Sequence, residues 1–247
     1  MMLLVDAGNT RVKWALADAD CAPGEWRGHG AVLHAQLDEA AAEWKAGGVT
    51  RALVSNVAGP QLAGRIAALL PAGIAVEWFA SSAQRAGLRN GYREPARLGC
   101  DRFAAGIGAR ALAPGQDLVV ATCGTATTVD AVRADGLFVG GMILPGLALM
   151  ASSLASNTAQ LPQVAPGAVP ALFGDNTNDA ILSGVLSAQA GAIERAVAGH
   201  GASACIVSGG AAPFIAPALK VAYTVVDNIV LVGLQAAASY MEGEARC

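Results

Sequence analysis

Asp6, Gly8, Asn9 and Thr10 stand at the end of an apolar run that begins at Met2, and Gly124 and Thr125 stand at the end of another that begins at Leu118. In both places a second strand-like run follows at once, Val12 to Ala17 and Thr127 to Val132. Each segment therefore reads as a β-hairpin whose tight turn exposes backbone N–H groups and hydroxyls. Such turns wrap phosphate oxygens. Asp6 adds a carboxylate that can hold Mg²⁺, directly or through water, while the turn meets the phosphate. Local side-chain bonds that stabilise a hairpin turn would account for Asp6 and Asn9 equally well. Lys13, on the second strand, either reaches a phosphate or is simply solvated. Two such turns at matching places in two halves point to a cleft lined from both sides, the way a nucleotide is held between lobes.

Gly99-Cys100-Asp101-Arg102 is the other chemically suggestive cluster. Asp101 is either the N-cap of the Ala-rich helix that follows or a base that accepts a proton from a substrate hydroxyl. Arg102 bears on that choice. A cation in the first turn faces the positive end of the helix dipole at a cost of about 0.3–1 kcal/mol, which favours an anion beside it, and a substrate carboxylate would supply one. Gly209-Gly210 follows the strand Cys205 to Ser208 and permits close approach of an adenine or ribose, or marks a plain strand-to-helix turn. No Walker A pattern occurs, nor a G-x-G-x-x-G opening a helix after a strand, so P-loop and dinucleotide folds lose support.

The elements that must position these groups follow from periodicity and punctuation. After the first hairpin, a helix is predicted from Gln36 to Ala46, a strand from Arg51 to Val54, a helix from Pro60 to Leu70 and a strand from Ile74 to Phe79. Gly87 to Gly99 is polar and turn-rich, and Arg102 to Leu112 is helical. The second half restarts with its hairpin at Leu118, then a strand from Leu137 to Leu144 and an apolar helix led by Pro145-Gly146. A polar loop from Phe173 to Asn178, a long helix from Asp179 to Ala198, strands at Ala204 to Ser208 and Tyr223 to Val226, and a final helix to Met241 complete the chain. Duplication is the economical explanation. The expected architecture is α/β, with lobes at 1–117 and 118–247.

The totals narrow the class further. The chain has 247 residues and a net charge of −3, and its 16 Lys and Arg residues are scattered, so no basic field draws a nucleic acid. The five cysteines, Cys21, Cys100, Cys123, Cys205 and Cys247, have no C-x-x-C spacing, and His29, His34 and His200 form no ligand pattern with them. A reducing, cytoplasmic setting fits. The apolar start is broken by Asp6 and lacks a basic flank, so it reads as a strand and not a signal peptide. Asp227, Asn228 and Gln235 interrupt the most lipid-like stretch short of a ~20-residue span, so no membrane segment is expected.

With these residues in view, the chain resembles the type III pantothenate kinases, within the actin-like (ribonuclease H-like) superfamily that includes sugar and acetate kinases. The resemblance rests on Asp6-Ala-Gly-Asn-Thr10, Gly91-Tyr92 with Pro95, Leu98-Gly-Cys-Asp-Arg102, Gly124-Thr-Ala126, Gly140-Gly-Met-Ile-Leu-Pro-Gly146, Asn176-Thr177 and Ser208-Gly-Gly210, in order. It implies two duplicated lobes with a nucleotide cleft between them and ATP-dependent phosphorylation of pantothenate to 4′-phosphopantothenate, the first step toward coenzyme A. It further implies that Asp6, Ala7, Gly8, Asn9, Thr10, Arg11, Val12 and Lys13 meet ATP and magnesium, with Gly124, Thr125, Gly209 and Gly210 from the other lobe. Asp101 becomes the general base. Tyr92, Gly99, Cys100, Asp101, Arg102 and Thr177 would hold pantothenate, with Arg102 on its carboxylate. A homodimer is implied, consistent with apolar stretches at Ile143 to Met150 and Ile181 to Ala190, which ordinary core helices would explain equally well. The family also implies a monovalent cation, K⁺ or NH₄⁺, associated with an acidic residue where this chain has Thr122, whose neutral hydroxyl binds K⁺ weakly. The alternative from another class is a nucleotide-binding regulatory protein of the same fold without kinase activity.

Overall fold

Leu3, Leu4 and Val5 are consecutive apolar residues, a pattern suited to a strand covered on both faces, and all three are fully buried. They lie in β1 (Met2–Ala7), which pairs antiparallel with β2 (Arg11–Ala17); β2 in turn pairs antiparallel with β3 (Gly28–Leu33). After α1 (Leu37–Ala46), β4 (Arg51–Asn56) runs parallel to β1. After α2 (Pro60–Leu69), β5 (Ala75–Phe79) runs parallel to β4, completing a sheet of order β3-β2-β1-β4-β5. The computed structural model describes residues 1–18, 21–165, 167 and 170–244. Cys247 lies outside them.

In the first unit a strand and a hairpin appear that the sequence reading lacks. The first is β3, whose Gly-His-Gly-Ala composition has little strand propensity. Trp14 sits opposite Gly30, and a Cβ there would lie 2.9 Å from the indole, so the missing side chain makes room for a cross-strand aromatic. The second is a short hairpin, β6 (Gln84–Arg85) and β7 (Leu88–Asn90), inside the stretch expected to be only turns. It precedes α3 (Cys100–Leu112).

A second sheet repeats the first. β8 (Leu118–Cys123) and β9 (Ala126–Val132) form the hairpin, and β10 (Leu137–Pro145) follows. α4 (Leu147–Asn157) and α5 (Thr177–His200) lead to β11 (Ala204–Ser208), parallel to β8. α6 (Ala212–Ile215) leads to β12 (Thr224–Val225), parallel to β11. The order β10-β9-β8-β11-β12 matches β3-β2-β1-β4-β5 strand for strand, as the duplicated hairpins led us to expect. Each sheet has its own core: Leu3, Val5, Trp14, Trp44 and Ile66 in one, Val119, Val129, Ile193 and Val207 in the other. α5 begins two residues earlier than a polar loop through Asn178 would allow, because the Asn176 side chain accepts the Asp179 N–H at 3.0 Å and caps it.

The last helix, α7 (Ile229–Glu244), packs on α3 and on β1, β2 and β4. The chain accordingly divides into one unit of residues 1–114 and 136–138 with everything from Asn228, and a second of 115–135 and 139–227. α7, although last in the chain, belongs with the first unit. The reason is a close helix crossing: a Cβ on Gly108 would lie 2.6 Å from the Ile229 carbonyl oxygen, and one on Gly233 would collide with the Ala104 backbone. No helix of the described residues is long and apolar enough to cross a membrane.

Gly233→Ala is therefore expected to destabilise the protein by about 1–3 kcal/mol or more, through overpacking against fixed backbone. Gly199→Ala, in α5 with nothing within 4 Å of its Cβ, is expected to be neutral or to stabilise by up to about 1 kcal/mol. Urea unfolding of both variants checks the contrast.

Candidate active site

β1 delivers Asp6 to the head of the first hairpin. Its cross-strand partner on β2 is Lys13 and its partner on β4 is Ser55. Burial pushes the Asp6 carboxyl up to about 6; Lys13 opposes the shift, and the charge on Asp101 adds to it. Asp6 and Asp101 therefore sit close enough to feel each other. The turn itself is closed by the Gly8 N–H, which donates to the Arg11 carbonyl at 3.1 Å. Gly8, Asn9, Thr10 and Arg11 are at least partly exposed, whereas Ala7 and Val12 are fully buried.

Asp101 lies in the first turn of α3, but Gly99 is the N-cap and no side chain caps the helix. The capping reading of Asp101 thus fails. Its Oδ1 accepts the Arg102 N–H at 2.8 Å, leaving the rest of the carboxylate available. Burial pushes the Asp101 pKa up, against the Arg102 N–H bond and the Arg102 charge. Gly99 is needed here because a Cβ would lie 2.7 Å from Asp101 Oδ1.

Arg102 is only 6% exposed. It donates to the Tyr92 hydroxyl at 2.6 Å and stacks 5.6 Å from the Tyr92 ring centroid and 5.9 Å from that of Phe138. Tyr92 meets Phe138 edge-on at 6.0 Å. Beside them a cavity of about 590 Å³ is lined by Gly91, Tyr92, Arg93, Glu94 and Arg97, a size suited to a small ligand. Cys100 Sγ lies 3.4 Å from Ser55 Oγ and 3.6 Å from the Asn56 carbonyl. Burial pushes its thiol up, which disfavours the thiolate.

The second unit holds its own set. The Gly124 N–H donates to the Ala126 carbonyl at 3.0 Å, and the Gly146 N–H to the Thr125 carbonyl at 2.9 Å. Gly209 presses on the Cys123 backbone, whose carbonyl accepts the Ala211 N–H at 3.0 Å. Three turns thus meet main chain to main chain, and Gly210 lies exposed beside them. Thr122 is half-buried between its partners Thr128 and Ser208. Thr177 opens α5 and lines a separate cavity of about 900 Å³ with Pro145, Met150, Asp175 and Ile181.

Sequence reasoning missed Ser55, Phe138 and Gly146 as parts of these sites. Ser55 ends a parallel strand next to Asp6, a position that strand order would have revealed. Phe138 carries no such signal. Of the two apolar stretches read as an interface, Ile181, Val185, Leu186 and Ala190 are buried against their own unit, so that helix face is core.

Residues 2–199 match the family model described as type III pantothenate kinase. The type III pantothenate kinase of Herminiimonas arsenicoxydans is 56% identical over 251 residues, covering 96% of this chain and 97% of its own. A Campylobacter jejuni structure assigned to the Baf family of transcriptional activators has a TM-score of 0.61 at 19% identity, covering 99% of this chain and 100% of its own. One from Sinorhizobium meliloti assigned as a 2-dehydro-3-deoxygalactonokinase has a TM-score of 0.57 at 16% identity, covering 98% and 99%. The two structures share the actin-like sugar-kinase fold with this chain, and at those identities they speak to fold alone.

The Asp6 carboxyl has a folded pKa of about 6 against 3.8 when unfolded. The folded state holds that proton more tightly, so stability falls as pH rises from about 4 to about 6. Asp6→Asn removes the penalty. It is expected to raise stability above pH 6 by up to about 3 kcal/mol, with no gain near pH 4, which melting curves at several pH values check.

Proposed function

The chain belongs to the type III pantothenate kinase family, and on that footing we propose how its residues carry out the ATP-dependent phosphorylation of pantothenate to 4′-phosphopantothenate. The observation that carries the reading is a pair of carboxylates raised by burial, Asp6 at the head of the first hairpin and Asp101 in the first turn of α3 next to the Arg102–Tyr92 pair. Two carboxylates in different surroundings divide metal binding from base chemistry.

Asp101 is the base. It accepts the proton of the primary hydroxyl of pantothenate as that oxygen bonds to the γ-phosphorus and the bond to the departing ADP oxygen breaks. The raised pKa makes it a stronger proton acceptor than an ordinary aspartate. Arg102 and Tyr92 hold the pantothenate carboxylate, with Gly99 and Cys100 shaping the approach to Asp101. In the second unit, Thr177 lines its own cavity and offers a hydroxyl to a substrate there. The turn from Ala7 to Arg11 presents N–H groups and the Thr10 hydroxyl to ATP phosphates, and Lys13 brings a charge to them. In the second unit Gly124, Thr125, Gly209 and Gly210 offer a separate set of close-packed backbone groups for nucleotide.

Asp6 fits Mg²⁺. It is a hard oxygen donor, partly desolvated and pressed by a second carboxylate, a combination that a divalent cation relieves. Among the described residues no group of three or more metal-ligating side chains occurs, which suits an ion that keeps waters and substrate phosphates as ligands. When bound, Mg²⁺ neutralises phosphate charge. Thr122 provides oxygens without charge, so K⁺ or NH₄⁺ has no acidic ligand there.

The protein incubated with ATP, Mg²⁺ and pantothenate is expected to release ADP only when pantothenate is present. Asp101→Asn is expected to lose about 10²–10⁴-fold in kcat while still binding ATP. The wild-type rate should rise with pH through a midpoint above the usual aspartate range. Full activity in Asp101→Asn would overturn the assignment, and nucleotide binding without pantothenate-dependent turnover would favour the regulatory reading.

We further propose a homodimer. The second unit leaves Ile143 65%, Leu149 49%, Leu172 67% and Phe173 87% exposed, apolar surface of the kind that association covers. Light scattering is expected to give twice the chain mass, and Ile143→Lys to shift it toward the monomer; a monomeric wild type would refute the dimer.

A further inference from the structure

The geometry points to His34 as a positioning residue for the phosphate-binding turn. His34 follows β3, and its Nε2 lies 2.8 Å from the carbonyl oxygen of Gly8, at the apex of the β1–β2 hairpin. A carbonyl can only accept, so Nε2 carries the proton and donates. The contact links residues 26 positions apart, and it adds a long-range tie to a turn that the Gly8 N–H also closes locally on the Arg11 carbonyl.

The consequence follows from peptide planarity. The Gly8 carbonyl and the Asn9 N–H belong to one trans peptide unit, and they point in opposite directions. Fixing the carbonyl toward His34 therefore fixes the Asn9 N–H away from it, on the opposite side of the turn. An N–H held in one direction before the ligand arrives binds an anion without the cost of ordering the turn. The imidazole bond also polarises the same peptide, which strengthens the N–H as a donor.

His34 is itself anchored from behind. Arg65 of α2 donates to the His34 main-chain carbonyl at 2.8 Å and pairs with Asp38 of α1 at 3.3 Å. Two helices thus fix the backbone from which the imidazole reaches the turn. The chemistry at stake is recognition of a nucleotide phosphate, and the inference rests on the reading that the Ala7 to Arg11 turn meets ATP.

The test measures KM for ATP, KM for pantothenate, kcat and Tm in the wild type, His34→Ala, His34→Gln and Thr10→Ala. His34→Ala is expected to raise KM for ATP about three- to tenfold, the worth of one hydrogen bond, with KM for pantothenate unchanged. His34→Gln, which keeps an N–H donor, is expected to recover much of the loss. An unchanged KM for ATP in His34→Ala, or equal changes for both substrates accompanied by a lower Tm, would overturn the role of His34. Thr10→Ala separates the two levels of the argument. If it raises KM for ATP while His34→Ala does not, only the positioning role fails; if neither does, the phosphate-binding reading of the turn fails with it.

Discussion

Two partly desolvated carboxylates held near each other are the constraint around which the first unit is organised. Water would stabilise each as an anion, and their separation from it raises both pKa values. Such an arrangement costs the folded state stability, so it persists only where surrounding elements fix both groups. β1 is the central strand of its sheet and sets Asp6 between β2 and β4. α3 sets Asp101 one residue beyond Cys100, whose thiol lies against Ser55 on β4. Strand and helix termini, not loops, carry the two groups.

Close main-chain contacts provide that rigidity in both units. Glycines at the α3–α7 crossing bring the two helices together, and α7 in turn packs on the three strands that surround Asp6. In the second unit Gly146 and Gly209 bring their turns onto Gly124 and Cys123. Where a side chain does appear at such a contact it is large and paired, as with Arg102 between Tyr92 and Phe138. Burying a guanidinium is unfavourable without compensation, and here the Tyr92 hydroxyl and the ring faces supply part of it.

The two sheets share one strand order, yet their hairpin heads differ in charge. The first carries Asp6 and Lys13, while at the second Cys123 and Thr127 stand opposite each other and Thr122 faces Thr128. Repetition of the strand order therefore does not carry with it repetition of the residues at the hairpin heads.

What local sequence determined was considerable. Apolar runs closing on Gly and hydroxyl residues marked both hairpins, Pro60 and the Gly47-Gly48 pair bounded the first helices, and the motif carrying Asp101 and Arg102 stood out by its charge at a helix start. These signals are short-range, because a turn or a cap is decided by the few residues that form it. Other features depend on partners far away in the chain. The strand at Gly28–Leu33 pairs with β2 and leaves room for Trp14 opposite Gly30, and two glycines let α7 approach α3. The cap at Gly99 in place of Asp101, the raised Asp6 and Asp101 carboxyls and the burial of Arg102 likewise belong to packing. Desolvation is set by what surrounds a group in space, and that only the folded chain decides.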